Sequence, residues 1–182
     1  MGAPGGASAS GAVHVLPAAV RDAVTAPVPG ANVKPRWLLP LCFALSFAAD
    51  QGSKILARRA LPPGTAWSPI SGAEAWFSVR VSVNSGAAFG LLQGAGAVFV
   101  FAAVVVLVLI LGLYITRTQT AQPVALGLGL IAGGAAGNLL DRLRFGGVVD
   151  WLQLSLLPAF NLADVWLLLG AVVLLAWGLR QR

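Results

Sequence analysis

Hydrophobic residues run along this chain in four long blocks, Trp37–Ala57, Ala95–Ile115, Val124–Leu140 and Leu162–Leu179. A helix that crosses a hydrocarbon core of ~30 Å needs ~20 residues, within a range of about 17–25. Each block fits that length, so the pattern predicts four membrane-spanning helices. The block from Ala95 to Ile115 holds no charged residue at all. The third block is rich in glycine, at Gly127, Gly129, Gly133, Gly134 and Gly137. Small residues of that kind let helix backbones approach closely inside a membrane. Trp37, Trp151 and Trp177 fall near the block ends, where interfacial aromatic rings belong.

The stretches between the blocks differ in kind. Arg58–Gly94 is a long loop, and within it Val79, Val81 and Val83 alternate with Ser78, Arg80 and Ser82. A period of two argues for a half-buried strand, so Trp76–Val83 is expected to form a small β element at the membrane surface. Thr116–Pro123 is a short connection and Asp141–Asn161 a medium one. Residues 1–33 are rich in Ala, Gly, Pro, Ser and Val and show no sustained period. They lack the basic start and apolar core of a signal peptide, and are expected to form a flexible extension outside the chemistry. The expected architecture is all-α: a four-transmembrane-helix bundle with a small β element, built from residues 34–182.

Composition supports the membrane assignment. The chain of 182 residues is 58% hydrophobic and 10% charged, whereas a soluble domain carries about 25% charged residues. Twelve basic residues against six acidic ones give a formal charge of +6. The basic residues are scattered between apolar runs rather than clustered, which argues against a nucleic-acid partner. Charge counting does not orient the bundle. Lys34, Arg36, Arg117, Arg180 and Arg182 fall on one side, and Arg58, Arg59, Arg80, Arg142 and Arg144 on the other. With one cysteine, Cys42, and one histidine, His14, a zinc site and a His-activated nucleophile lack their residues. Cys42, in mid-block, is most simply packing.

Topology is more telling than charge. With four spans, the end of the first, the end of the third and the start of the fourth share one side. Those ends carry Asp50-Gln51-Gly52-Ser53-Lys54, Asn138-Leu139-Leu140-Asp141-Arg142 and Asn161-Leu162-Ala163-Asp164. The long loop adds Asn84-Ser85-Gly86-Ala87-Ala88-Phe89-Gly90, and the third connection adds Asp150. Five of the six acids, Glu74 included, therefore converge on one face, and the sixth is Asp22 in the extension. An Asp at the centre of a membrane helix costs ~2.5–3.5 kcal/mol on the insertion scale, so such convergence suggests a site.

Structural roles compete for several of these residues. Asp50 and Lys54 have the i,i+4 spacing of a helical ion pair. Asp141 and Arg142 could satisfy neighbouring helix ends, and Asn84 with Gly86 could simply turn the chain. Asp150 and Asp164 differ, because no basic residue lies within five positions of either. Two carboxyl groups in apolar surroundings are expected to titrate apart. A split pair suits peptide hydrolysis, in which one carboxylate takes a proton from water and the other carboxyl group donates one to the carbonyl oxygen or leaving amine. The thirteen residues from Trp151 to Ala163 are enough to close the two into proximity.

The chain resembles the lipoprotein signal peptidase family, also called signal peptidase II, a group of four-span aspartyl proteases of the bacterial inner membrane. The matching stretches are Asp50–Lys54, Asn84–Phe89, Gly133–Arg142, Val148–Trp151 and Phe160–Asp164, in family order. The resemblance implies removal of signal peptides from prolipoproteins, with the cut just before a cysteine that carries diacylglycerol. It implies Asp150 and Asp164 as the catalytic pair. It implies that Asp50, Lys54, Asn84, Gly86, Asn138, Asp141, Arg142, Asn161 and Ala163 shape the site or contact substrate. It further implies cytoplasmic termini, a periplasmic site and β element, membrane lipid as surroundings, no metal or cofactor, and a chain that works as a monomer. The extension 1–33 has no counterpart in the family's core.

Three other functions were open from the residues alone. A transporter or proton relay would spread ionisable groups through the membrane depth, but the second block has none. A Ser-Lys protease would need Ser53 and Lys54 to face each other, and helix neighbours do not. A purely structural anchor leaves the clustered polar motifs unused.

Overall fold

The computed structural model describes residues 36–62, 65–72, 74–85, 96–116 and 120–182, all within the unit Asn32–Arg182. The extension 1–33 and Gly86 lie outside the described residues. Among the described residues, four long helices appear: α1 (Leu38–Ala60), α2 (Gly96–Thr116), α3 (Gln122–Phe145) and α4 (Leu162–Arg180). Strands β1 (Phe77–Asn84) and β2 (Val148–Leu154) form a two-stranded sheet. Helices α2, α3 and α4 are long and apolar enough to cross a membrane. Helix α1 has the length but carries Asp50, Lys54, Arg58 and Arg59.

Helix α3 is the centre of the bundle and packs on α1, α2 and α4. Its glycines set how closely those neighbours come. A Cβ on Gly134 would stand 2.5 Å from the carbonyl oxygen of Ala163 on α4, and one on Gly137 would strike the carboxylate of Asp50 on α1. The glycine-rich face expected for close packing is thus the face that receives α1 and α4. Helix α2 is apolar all round and buries only Ile110, while Phe101, Val108 and Leu109 face outward. Exposed apolar side chains on a helix of this length suit a lipid surface.

Two boundaries differ from the sequence expectation. Helix α3 continues five residues beyond Leu140, so Asp141 and Arg142 lie inside a helix and not in a connection. It ends where Gly146 adopts φ 71°, the left-handed cap that glycine takes without strain. Helix α1 likewise runs on to Ala60.

The expected strand is present and has a partner. β2 pairs antiparallel with β1, matching Phe77 to Leu154, Val79 to Leu152, Ser82 to Asp150 and Asn84 to Val148. Between the second and third of these pairs, β1 advances three residues while β2 advances two. That bulge switches which side chains of β1 share a face with Asp150. Val79 is on that face before it; Ser82 and Asn84 are on it afterwards. Strict alternation is therefore broken, and Val83 is 57% exposed although Val79 is 9% exposed.

Close packing at α3 gives a direct test. Gly134→Ala forces α4 away from α3, at a cost of about 1–3 kcal/mol typical of overpacking. Gly112 on α2 has nothing within 4 Å of an added Cβ, so Gly112→Ala keeps or slightly gains stability through helix propensity. Thermal unfolding of the purified variants in detergent is expected to lower the midpoint for the first and not the second.

Candidate active site

Asp164 occupies the third position of α4, and its location follows from helix capping. Asn161 is the N-cap: its side-chain oxygen accepts the N–H of Asp164 at 3.2 Å, and Asp164 Oδ2 accepts the N–H of Asn161 at 3.1 Å. This reciprocal box satisfies two otherwise orphaned donors. It also holds a carboxylate at the helix end that favours negative charge. The other oxygen, Oδ1, accepts the side-chain amide of Asn138 on α3 at 2.9 Å.

Asp150 arrives from the sheet. The chain after β2 returns so that Phe160 and Leu152 exchange backbone hydrogen bonds of 2.9 Å in both directions. That bridge closes the thirteen-residue stretch and sets Asn161 beside Asp150. Asn161 Nδ2 donates to Asp150 Oδ1 at 2.7 Å, and Asn84 Nδ2 donates to Oδ2 at 3.2 Å. Asn161 thus touches both acids, one through its side-chain nitrogen and the other through its backbone N–H.

Below them lies a layer of buried charge. Lys54 Nζ donates to Asp50 Oδ2 at 2.9 Å and to Asn138 Oδ1 at 3.0 Å, and is ion-paired with Asp141 Oδ2 at 2.8 Å. Asp50 Oδ1 accepts the N–H of Ala163 at 2.9 Å, an orphan donor in the first turn of α4. Asp141 Oδ2 accepts the N–H of Val149 at 3.1 Å. Gln51 Nε2 bridges Asp50 Oδ2 at 3.0 Å and Asp141 Oδ1 at 3.3 Å.

The two aspartates open onto a cavity of about 470 Å³, lined also by Asn84, Asn138, Arg142 and Phe160. Arg142 is half-buried, with its guanidinium carbon 5.1 Å from the centre of the Phe99 ring, a cation–π distance. Asp164, Asp150 and Asp141 are the carboxylates within its electrostatic reach. Among the described residues, no group of three or more His, Cys, Asp or Glu could hold a metal ion.

Burial raises the pKa of Asp150 from 3.8 to about 6. The Asn161 and Asn84 amides oppose that rise, the charge of Asp164 adds to it, and the more distant Lys54 opposes it. A carboxyl group that titrates near pH 6, beside a second carboxyl group at one cavity, fits a general acid paired with a general base.

Each residue singled out in the sequence now has a place, Gly86 excepted. Asp150, Asp164, Asn84, Asn138 and Arg142 line the cavity. Asn161 joins the pair, and Asp50, Lys54, Asp141 and Ala163 form the layer below. The Asp50–Lys54 helical pair exists, but Lys54 is shared with Asp141. Asp141 reaches the backbone of β2 rather than a helix end, and Asp50 is the acid that caps one. Gln51 joins this network and was not singled out. Its signal was its place inside the Asp50–Lys54 stretch, beside an acid.

Comparison with known proteins agrees with the resemblance. The family model for signal peptidase (SPase) II matches residues 42–180. A lipoprotein signal peptidase of Moorella thermoacetica is 43% identical over 135 residues, which is 74% of this chain and 87% of the relative. Another, of Pelotomaculum thermopropionicum, is 38% identical over 76% of this chain and 89% of its own. A solved structure described as a bacterial membrane enzyme has a TM-score of 0.69 at 25% identity, covering 78% of this chain and 87% of that one.

The raised pKa of Asp150 carries a stability consequence. Its folded value lies above its unfolded one, so the contribution is full below about pH 4 and is lost as pH rises through about 6. Two pH units at ~1.4 kcal/mol each bound it at about 3 kcal/mol. The unfolding midpoint is expected to rise as pH falls from 7.5 to 5, and Asp150→Asn should flatten that slope.

Proposed function

The chain belongs to the signal peptidase II family, and on that premise we propose that it is a membrane aspartyl endopeptidase acting through Asp150 and Asp164. It removes the signal peptide from prolipoproteins, cutting just before the diacylglyceryl-modified cysteine. The observation that carries the aspartyl mechanism is the shared contact of both acids with Asn161 at the edge of one cavity.

A difference in setting between the acids supports a division of roles. Asp164 stands in the first turn of a helix, in the reciprocal cap with Asn161, an arrangement suited to the carboxylate that takes a proton from water. Asp150 holds a proton and gives it to the departing amine. Water oxygen bonds to the scissile carbonyl carbon, the C–N bond breaks, and the cleaved products leave as an acid and an amine. The proton taken by Asp164 and the one given by Asp150 restore the pair after one exchange. Arg142 stands where its guanidinium can meet substrate carbonyl oxygens, and Asn138 keeps Asp164 in orientation.

The membrane arrangement follows from the same premise. Helix α1 is the fourth span, with Asp50 and Lys54 turned inward, as polar residues inside membranes require. The spans sit in the bacterial inner membrane with cytoplasmic termini, and the site and sheet lie at the periplasmic face. The substrate's apolar signal helix comes in from the lipid and its scissile bond reaches the cavity. One chain, residues 34–182, suffices, with residues 1–33 as an appendage.

Cleavage of a synthetic diacylglyceryl-modified prolipoprotein peptide, followed by mass spectrometry, tests the assignment. Asp164→Asn retains the capping acceptor but removes the base, so it should fold and lose at least ~10³-fold in kcat, the scale of removing a general acid–base group. Wild-type activity in that variant would overturn the assignment. In the wild type, the alkaline limb of the pH–rate profile tracks loss of the shared proton. Bound substrate strips water from Asp150 and disfavours its charged form, so the limb in kcat should lie at higher pH than the limb in kcat/KM.

A further inference from the structure

Asp50 and Asp141 perform the same act on different halves of the site. Asp50 grips the N–H of Ala163, the residue immediately before Asp164, and Asp141 grips the N–H of Val149, the residue immediately before Asp150. One cation, Lys54, is ion-paired with both grips at 2.9 and 2.8 Å. It also donates to Asn138, which in turn donates to Asp164. The three charged residues are at most 3% exposed. None of them is among the residues that line the cavity.

We propose that Asp50, Asp141 and Lys54 form a positioning clamp, in which each carboxylate fixes the chain one residue ahead of a catalytic aspartate and Lys54 sets the distance between the two grips. The proposal rests on the assignment of Asp150 and Asp164 as the catalytic pair. The pair comes from two elements, a strand and a helix, joined by a loop. The Leu152–Phe160 bridge and Asn161 already tie the two near the cavity, and the charged layer adds a second anchor through the residue ahead of each. Adjacent Cα atoms are ~3.8 Å apart, so slack at Val149 or Ala163 passes almost undiminished to the neighbouring carboxyl group. A misplacement of ~1 Å can cost about 10²-fold in rate. The compact three-donor ammonium also suits the task better than a planar guanidinium, which favours a bidentate fork to one carboxylate.

The test uses the full chain in detergent or lipid and the diacylglyceryl-modified peptide, with kcat and KM measured separately. Lys54→Met leaves two buried anions without their cation, and is expected to lower kcat about 100-fold with little change in KM. The triple variant Asp50→Asn, Lys54→Met, Asp141→Asn has no charge in the layer but keeps a carbonyl acceptor for each backbone N–H. It should recover kcat by about tenfold or more over Lys54→Met alone. Where Lys54→Met fails to fold, the triple variant decides: a kcat loss of about 10- to 100-fold with KM little changed supports the clamp, and wild-type kcat, or a loss beyond about 100-fold in a folded protein, overturns it. Wild-type kcat in Lys54→Met also overturns it, as does a folded triple variant no better than the single one. These failures are distinct from failure of the catalytic assignment, which would appear as full activity in Asp164→Asn.

Discussion

One ammonium group shared between two carboxylates holds the polar end of this bundle together. Lys54, Asp50 and Asp141 are sealed among helices, with a partner for every carboxylate oxygen and three polar contacts to the ammonium. At a separation of ~4 Å, an effective dielectric of 20 gives about 4 kcal/mol for one such attraction. Desolvation consumes much of that gain, and removing one member of a buried pair costs about 3–5 kcal/mol because the other is stranded. The layer is therefore less a source of net stability than a device that tolerates one geometry. That geometry ties α1 to α3, α3 to β2, and α1 to the first turn of α4.

Close helix approach is what lets such a layer exist. The Asp50 carboxylate lies against Gly137, where any side chain would displace it. Gly134 lets the Ala163 carbonyl settle on α3, which brings the Ala163 N–H within 2.9 Å of Asp50. The glycine face and the acidic clamp are then one design read at two levels. Small residues fix the spacing of the helices, and the carboxylates convert that spacing into the placement of two chain segments. The sheet adds the last element, because the bulge in β1 turns Asn84 onto the face that meets Asp150.

Much of this was legible in the residues. Block length located all four helices to within a few residues, and the alternation at Ser78–Val83 located β1. The absence of basic neighbours isolated Asp150 and Asp164 before any coordinates. The strand β2 was not visible, since Val148-Val149-Asp150-Trp151 does not alternate and gains its pairing only from β1 across the chain. The extension of α3 past Leu140 was hidden for a related reason. Asp141 and Arg142 end an apolar run and so read as a boundary, yet a helix continues through charges whenever partners lie on the facing elements. The sharing of Lys54 by two acids was beyond sequence altogether, because i,i+4 spacing names Asp50 and nothing along the chain names Asp141.

The four buried or half-buried aspartates show how environment divides one side-chain type into two kinds. Asp50 and Asp141 meet a cation directly. Among the described residues, Asp150 and Asp164 are salt-bridged by none and are held by the amides of Asn84, Asn138 and Asn161 and by one backbone N–H. A neutral amide orients a carboxyl group without placing a charge beside it, whereas an ammonium at contact distance places the opposite charge there. An acid that must gain and lose a proton in each turnover is better served by the first kind of partner. An acid that must only hold a backbone N–H is better served by the second. The separation of the two kinds suits the proposed clamp: with Asn138 as the bridge from Lys54 to Asp164, the cation stands two hydrogen bonds away from the Asp164 carboxyl group.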